Sequence, residues 1–365
     1  MDNPVPLHIY GGFGAPCGYK THTLSFARAL ARIRPVRLRL LGERLVPSSL
    51  PDDLQGLLEQ DQDTLPDIGL YIGGMHDFPR LPGRFRIGYA VFETTRLPER
   101  LLRAFDGLDQ IWVPTTWCRA QLIHNRIDPA RIRIVPEGVD TGTFSPGIER
   151  RAGDGTPFRF LCVGKWETRK CQEELIRTFV RTFGPDENVE LIIHGHNPFM
   201  PGFSLEHAIT RARGRTRHRI IASPPLSEAE LVNLYRRCDA LVLPTRGEAW
   251  GLPITEAMAC ALPVIATAHG GPLDFLHDDH AYPLPVSRLR RVRDRSNFRP
   301  GRHFGRWAEP DWKALSSIMR HVVEHPLQAR AVGARARRYA EQHLTWHHAA
   351  EKAARVLKDL PSTAP

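Results

Sequence analysis

Short apolar runs alternate with helical stretches along the first half of the chain. Residues 7–10 (LHIY) read as a strand that enters a glycine-rich loop holding Gly11, Gly12, Gly14 and Gly18. Leu24, Ala27, Leu30 and Ala31 then recur at helical spacing. Further strand-like runs stand at 36–41, 68–72, 87–92 and 110–113, with helical stretches near 98–106 and 116–125. Residues 132–135 close this half, and a polar, glycine-rich stretch around 147–157 reads as a linker. The pattern then restarts. Strands are predicted at 158–163, 189–194, 240–243 and 264–265, and helices at 173–183 and 228–237. Residues 311–357 read as three helices. Repeated β-α units imply a parallel sheet with helices on both faces. The expected class is therefore α/β, with two Rossmann-like domains facing a cleft. The expected boundaries are 1–150, 151–340 and a final helix and tail, 341–365, that packs back on the first domain.

The most informative segment runs from Glu248 through Ala249-Trp250-Gly251-Leu252-Pro253-Ile254-Thr255 to Glu256. It reads as a loop that opens a helix, with Glu248 in the loop and Glu256 in the first helical turn. Free N–H groups at a helix N-terminus attract phosphate, and carboxylates accept hydrogen bonds from sugar hydroxyls. At the matching place earlier in this half, the 158–163 strand ends in Gly164-Lys165-Trp166-Glu167-Thr168-Arg169-Lys170. A diphosphate needs such positive charge, and the strand-end position raises these cations above ordinary surface lysines. The glycine loop near the start misses the G-x-G-x-x-G spacing by one residue, and no acidic residue follows at the distance that takes a ribose. That argues against a nicotinamide enzyme. The loop still follows a strand and opens a helix, as a phosphate-binding loop would.

Together these residues resemble the retaining, nucleotide-sugar-dependent glycosyltransferases of family 4, which have the GT-B fold. The family's Glu, seven residues, Glu element matches Glu248 and Glu256. Its Gly-Arg…Lys-Gly element appears as Gly164-Lys165 and Lys170-Cys171. Its Pro-Gly-Gly-x-x-x-His loop appears as Pro16-Cys17-Gly18-Tyr19-Lys20-Thr21-His22. Its Pro-x-Gly-Val-Asp…Phe-x-Pro element appears as Pro136-Glu137-Gly138-Val139-Asp140 and Phe144-Ser145-Pro146. The resemblance implies that Glu256 binds ribose hydroxyls and that Glu248 lies against the donor sugar. It implies that the backbone of Trp250, Gly251, Leu252, Pro253 and Ile254 cradles sugar and diphosphate. Lys165 and Lys170 would neutralise the diphosphate, with Gly18 as a flexible approach to phosphate. Four positions depart from the pattern: Lys165 for Arg, Cys17 for Gly, Ala261 for the Gly that ends the helix, and Glu93 where many members carry a sugar-facing His. Glu93 is thus the candidate polar group of the first domain, with a salt-bridged or capping glutamate as the plain alternative. His76 is its rival.

Composition narrows the picture. The chain of 365 residues has a formal net charge of +10. Residues 284–306 hold eight arginines and one aspartate, +7 of that total. This stretch reads either as a solvated, mobile insertion or as a docking patch for an acidic acceptor or a membrane surface, through residues 288–306. No nucleic-acid module accompanies it. The six cysteines are scattered without a C-x-x-C pair, no apolar run reaches membrane-spanning length, and residues 1–12 lack a signal-peptide pattern. A cytoplasmic protein, with the inner membrane face as a peripheral option, is expected. Asp61-Gln62-Asp63 and His277-Asp278-Asp279-His280 look like metal motifs but read as solvated loops, so no metal and no cofactor is expected beyond the nucleotide-sugar co-substrate. The expected activity moves a sugar from that donor to a glycan, lipid-linked or other hydroxyl acceptor in cell-surface polysaccharide or glycoconjugate synthesis. A catalytically silent nucleotide-sugar binder or scaffold, or a GT-B epimerase, is the alternative.

Overall fold

The computed structural model describes residues 5–11, 13, 18–41, 50–59, 61, 63–147, 155–294 and 303–360. They divide into two compact units. One holds the residues up to Gly138 with 303–304 and 344–360; the other runs from Val139 to 294 and over Gly305–His343.

The first unit contains β1 (Leu7–Gly11), α1 (Gly18–Leu30), β2 (Val36–Arg39), α2 (Asp52–Gln55), β3 (Ile68–Ile72), β4 (Phe85–Tyr89), α3 (Glu99–Leu102), β5 (Gln110–Val113), α4 (Thr116–His124) and β6 (Ile132–Ile134). Its sheet is parallel throughout, in the order β2-β1-β3-β4-β5-β6. Strands covered on both faces read as near-continuous apolar runs, and β3 (IGLYI) and β5 (QIWV) are buried at every position. The 87–92 run was expected to be one strand. Its strand, Phe85–Tyr89, ends at Tyr89, whose hydroxyl donates to the Val135 carbonyl at 2.6 Å, and Glu93 follows in irregular backbone.

The second unit contains β7 (Phe158–Val163), α5 (Gln172–Thr182), β8 (Val189–His194), α6 (Leu205–Arg213), β9 (Ile220–Ser223), α7 (Glu228–Arg236), β10 (Ala240–Leu243), α8 (Leu252–Ala259), β11 (Val264–Thr267), β12 (Tyr282–Leu284), β13 (Val286–Arg291), β14 (Arg306–Pro310), α9 (Trp312–Glu324) and α10 (Pro326–His343). Its parallel sheet runs β12-β11-β10-β7-β8-β9. The strand order therefore reverses between β7 and β10, which pair directly. Ligands in such sheets bind outside the strand C-terminal ends at that reversal. The last helix, α11 (Trp346–Lys358), belongs to the first unit and packs along α1.

Two local findings correct the expectations. The arginine-rich stretch is not a mobile insertion over its described part: β13 pairs antiparallel with β14 as a hairpin. Glu256 is not in the first turn of its helix; α8 starts at Leu252, so Glu256 stands in the second. At the end of α8, Ala261 adopts φ +58°, with Leu262 N–H bonded to Ala257 O at 2.9 Å and Ala261 N–H to Met258 O at 3.0 Å. This pair of bonds is a Schellman cap, and the usual glycine is replaced by a residue that carries a strain of about 1 kcal/mol there.

Candidate functional site

The expected donor residues of the second half assemble within the second unit, at the ends of β7 and β10. After β7, the chain turns through residues 164–171 into α5. After β10, it runs through Arg246, Gly247 and Glu248 to Gly251, the N-cap of α8. Gly251 takes φ +101°, a conformation L side chains rarely adopt, and the N-terminus of α8 has no side-chain cap bond. Behind Glu248 the chain also demands a glycine. A Cβ on Gly270 would lie 2.6 Å from the Glu248 carbonyl, and Gly271 N–H donates to that carbonyl at 2.8 Å.

Lys170 Nζ donates to Glu248 Oε1 at 2.7 Å across 78 residues of sequence. Arg169 Nη1 approaches the same oxygen at 3.2 Å, while bonding Gly247 O at 2.6 Å. All three charged side chains are buried. Burial pushes the Glu248 carboxyl up, but Lys170 and Arg169 outweigh it and hold the group below its ordinary value, hence ionised. Glu167 follows the same logic, opposed by burial and held down by Arg169 at 2.6 Å and Lys165 at 3.1 Å. Lys165 is the more open cation, and its ammonium also lies 4.9 Å from the Phe199 ring centroid.

Glu256 has a different environment. Burial pushes its carboxyl up to about 7, against the hydrogen bond donated by Tyr235 Oη at 2.7 Å. The two glutamates of the segment are thereby separated: one is ionised against two cations, the other poised near neutrality. A folded pKa raised from 4.5 to about 7 contributes stability that is complete below pH 4.5 and lost as pH rises through 7. Tyr235→Phe removes a donor to the ionised form. The Glu256 titration is expected to move up by about one pH unit, read by carboxyl-directed NMR or infrared titration. An unmoved titration would mean that the hydroxyl does not sense the charge.

Sequence reasoning missed Arg169 as a Glu248 partner and Tyr235 altogether. The only signal for Tyr235 was an aromatic position on a helix five residues before β10. Behind the site, Arg246 is buried and forks onto Glu309, Nε to Oε2 at 3.0 Å and Nη2 to Oε1 at 3.3 Å, while Nη2 reaches Glu174 at 2.8 Å. Glu309 also accepts from Arg290 at 2.8 Å and Trp312 Nε1 at 3.0 Å. Burial opposes its ionisation, yet the Arg246 and Arg290 bonds hold it down to about 2.

In the first unit, Gly18 opens α1, while Gly12, Gly14, Pro16 and Cys17 lie outside the described residues. His22 is buried edge-on against Tyr89, centroids 4.4 Å apart, with Trp346 at 5.5 Å. Burial drives the imidazole down to about 3, so the ring is neutral at pH 7 and its 3.7 Å approach to Glu137 is no ion pair. Glu93 is half-buried. His76 is exposed, beside Asp77 at 3.3 Å in a short 3-10 turn (Met75–Arg80). Neither metal-like motif supplies converging ligands among the described residues. Asp61 accepts from the Asp63 and Thr64 amides of its own turn, and His280 stacks on Tyr339 at 4.2 Å while bonding Phe275 O. No group of three or more potential ligands is placed for a metal among the described residues, and no described helix is long and apolar enough to cross a membrane.

Two Rossmann-like α/β units, each built on a six-stranded parallel sheet, give the chain the GT-B fold. Solved structures support the fold: HepE from Anabaena, in complex with UDP and glucose, has a TM-score of 0.71 at 14% identity, covering 98% of this chain and 100% of that one. Residues 148–282 match the model of the family "Glycosyl transferases group 1". Among curated proteins, the D-inositol 3-phosphate glycosyltransferase of Pseudarthrobacter chlorophenolicus is 31% identical over 46% of this chain and 42% of its own length. That of Mycobacterium sp. (strain JLS) is 32% identical over 62% of this chain and 52% of its own. The chain thus spans about half the length of the curated relatives it matches.

Proposed function

We propose that this protein is a retaining, metal-independent glycosyltransferase of family 4 that uses a nucleotide-sugar donor. The observation that carries the reading is the meeting of Lys170 and Glu248 at 2.7 Å, from the ends of two paired strands at the strand-order reversal. In the proposed donor complex, Lys165 and Lys170 face the diphosphate together with the uncapped N-terminus of α8. They supply positive field where negative charge develops on the leaving group. Glu248 stays ionised, holds Lys170 in place and accepts from a donor-sugar hydroxyl. Glu256 accepts from the ribose. Retention follows if the acceptor hydroxyl attacks from the side the diphosphate leaves, with a phosphate oxygen taking the proton, so that no protein nucleophile is used. The solved relative's UDP and the curated relatives' phosphorylated acceptor support a uridine nucleotide and a polar, anionic acceptor as the first to try. A role in polysaccharide or glycoconjugate synthesis in the cytoplasm belongs to the same proposal.

The test is a thermal-shift screen of nucleoside diphosphates and nucleotide sugars, followed by acceptor-dependent release of the diphosphate. A ligand at about a hundred times its Kd adds about 2.7 kcal/mol to stability, so the right donor stands out. Lys165→Ala and Glu256→Ala are each expected to lower transfer by about a hundredfold or more while remaining folded. Full activity in both variants would overturn the assignment. Donor binding without acceptor-dependent turnover would favour a silent binder.

A further inference from the structure

Tyr235 has no exposed surface. A buried tyrosine hydroxyl takes a partner, and here Tyr235 Oη donates to Glu256 Oε2 at 2.7 Å. Burial, and then the charge of Glu256, hold that hydroxyl well above its ordinary pKa, so it keeps its proton. Glu256 Oε1 makes no hydrogen bond among the described residues. The carboxylate is thereby divided: one oxygen is pinned to α7, and the other is left for a ligand.

Both ends of that bond have further anchors within the second unit. The Tyr235 ring meets Phe144 edge to face, with centroids 5.8 Å apart at 80°. The next residue of α7, Arg236, bonds Ser145 twice, Nε to the carbonyl at 2.9 Å and Nη2 to Oγ at 2.6 Å. Arg337 Nη1 on α10 then ties this segment to α8. It donates to Thr141 O at 3.0 Å, to Phe144 O at 2.9 Å, and to Ala259 O, one turn beyond Glu256, at 2.7 Å. A glutamate side chain left free samples several rotamers. Here its direction is set by a bond from a neighbouring helix that is itself clamped.

We infer that Tyr235 is a specificity-determining positioning residue: by holding Oε2 it aims Glu256 Oε1 at the ribose diol of the donor, and so makes the site select ribonucleotides. The inference rests on the reading above that Glu256 takes the ribose. A site built to accept from a hydroxyl rejects an analogue that lacks it, because the acceptor is left unpaired. An acceptor free to turn finds water instead and discriminates less.

The experiment is calorimetric titration of wild type, Tyr235→Phe, Glu256→Ala and the double variant. The probes are the diphosphates of uridine, cytidine, adenosine and guanosine, each beside its 2′,3′-dideoxy counterpart. Phenylalanine keeps the ring against Phe144 and removes the hydroxyl alone. Titrations are run at about pH 9. Glu256, at about 7 in wild type and about one pH unit higher in Tyr235→Phe, is ionised in both there. Wild type is expected to bind the preferred ribonucleotide about tenfold or more tighter than its dideoxy form. In Tyr235→Phe that ratio should fall to about threefold or less, with the affinity for the dideoxy form unchanged. In the Glu256→Ala background the same substitution should move neither affinity, because the tyrosine acts through the carboxylate. An unchanged ratio in Tyr235→Phe would overturn the proposal. Loss of both ligands alike would mark a merely structural tyrosine and overturn it too, as would a wild type that binds diphosphates without preferring ribose. In each of those cases the transferase reading stands or falls separately, on acceptor-dependent release of diphosphate. A wild type that binds none of the diphosphates takes both down together.

Discussion

Lys170→Ala is expected to lower sugar transfer by about a hundredfold or more and to destabilise the second unit by about 3 kcal/mol. The lysine does two jobs with one ammonium. It is the nearest cation to Glu248 Oε1, at 2.7 Å, and in the proposed complex it also meets the diphosphate. Removing it leaves a buried carboxylate with Arg169 at 3.2 Å as its remaining partner. That residual partner places the stability loss at the lower end of what breaking a buried pair costs. A second substitution separates the two jobs. In Lys170→Ala/Glu248→Gln the charge to be compensated is gone, so most of the stability should return while transfer stays absent. Urea unfolding and acceptor-dependent diphosphate release read the two effects independently. Recovery of activity in the double variant would show that Lys170 serves only to neutralise Glu248.

Arg246→Ala is expected to cost about 3–5 kcal/mol, the larger stability effect of the two. Its guanidinium, itself buried, satisfies both oxygens of Glu309, one of Glu174 and the Thr168 carbonyl. Alanine leaves a cavity and a buried acid held by Arg290 and Trp312 alone. For a unit of this size the melting midpoint should fall by about 10 °C. Arg246→Lys keeps the charge but not the fork and should fall between the two. Acid acts on the same network. Glu309 is depressed from 4.5 to about 2, so its contribution is complete above pH 4.5 and is lost as pH falls through about 2. A midpoint shift of only a degree or two in Arg246→Ala would show that the network is not a structural support.

Much of this was readable from the chain, for a physical reason that also sets the limit. Strands buried on both faces announce themselves as β-branched and apolar runs, which is why β3, β5, β7 and β10 stand where the pattern puts them. The Glu248–Glu256 segment carries its own local geometry, because Gly251 and Pro253 force a turn into a helix. Hairpin β13–β14 was not readable as a strand pair. Arginine has no preference that marks an edge strand, and the partner that orders Arg290, Glu309, is nineteen residues away. The roles of Arg169 and Tyr235 depend on contacts made across 78 and 21 residues, which no local pattern encodes. Lys170 was assigned to phosphate on its charge; its carboxylate partner emerges only when β7 and β10 lie side by side.

The return of α11 to the first unit also has a consequence for biosynthesis. Chains emerge from the ribosome N-terminus first, at roughly 5–20 residues per second. The first unit has its six strands once Ile134 is out, yet α1 lacks its partner until α11 follows, with Trp346, Ala349, Ala350, Ala353, Val356 and Leu357 on its buried face. The whole second unit must be made in between, which takes on the order of tens of seconds. During that interval the nascent first unit exposes an apolar helix face. It is then expected to engage chaperones and to be open to proteases, and a ribosome stalled before residue 344 holds a first unit still without its last helix.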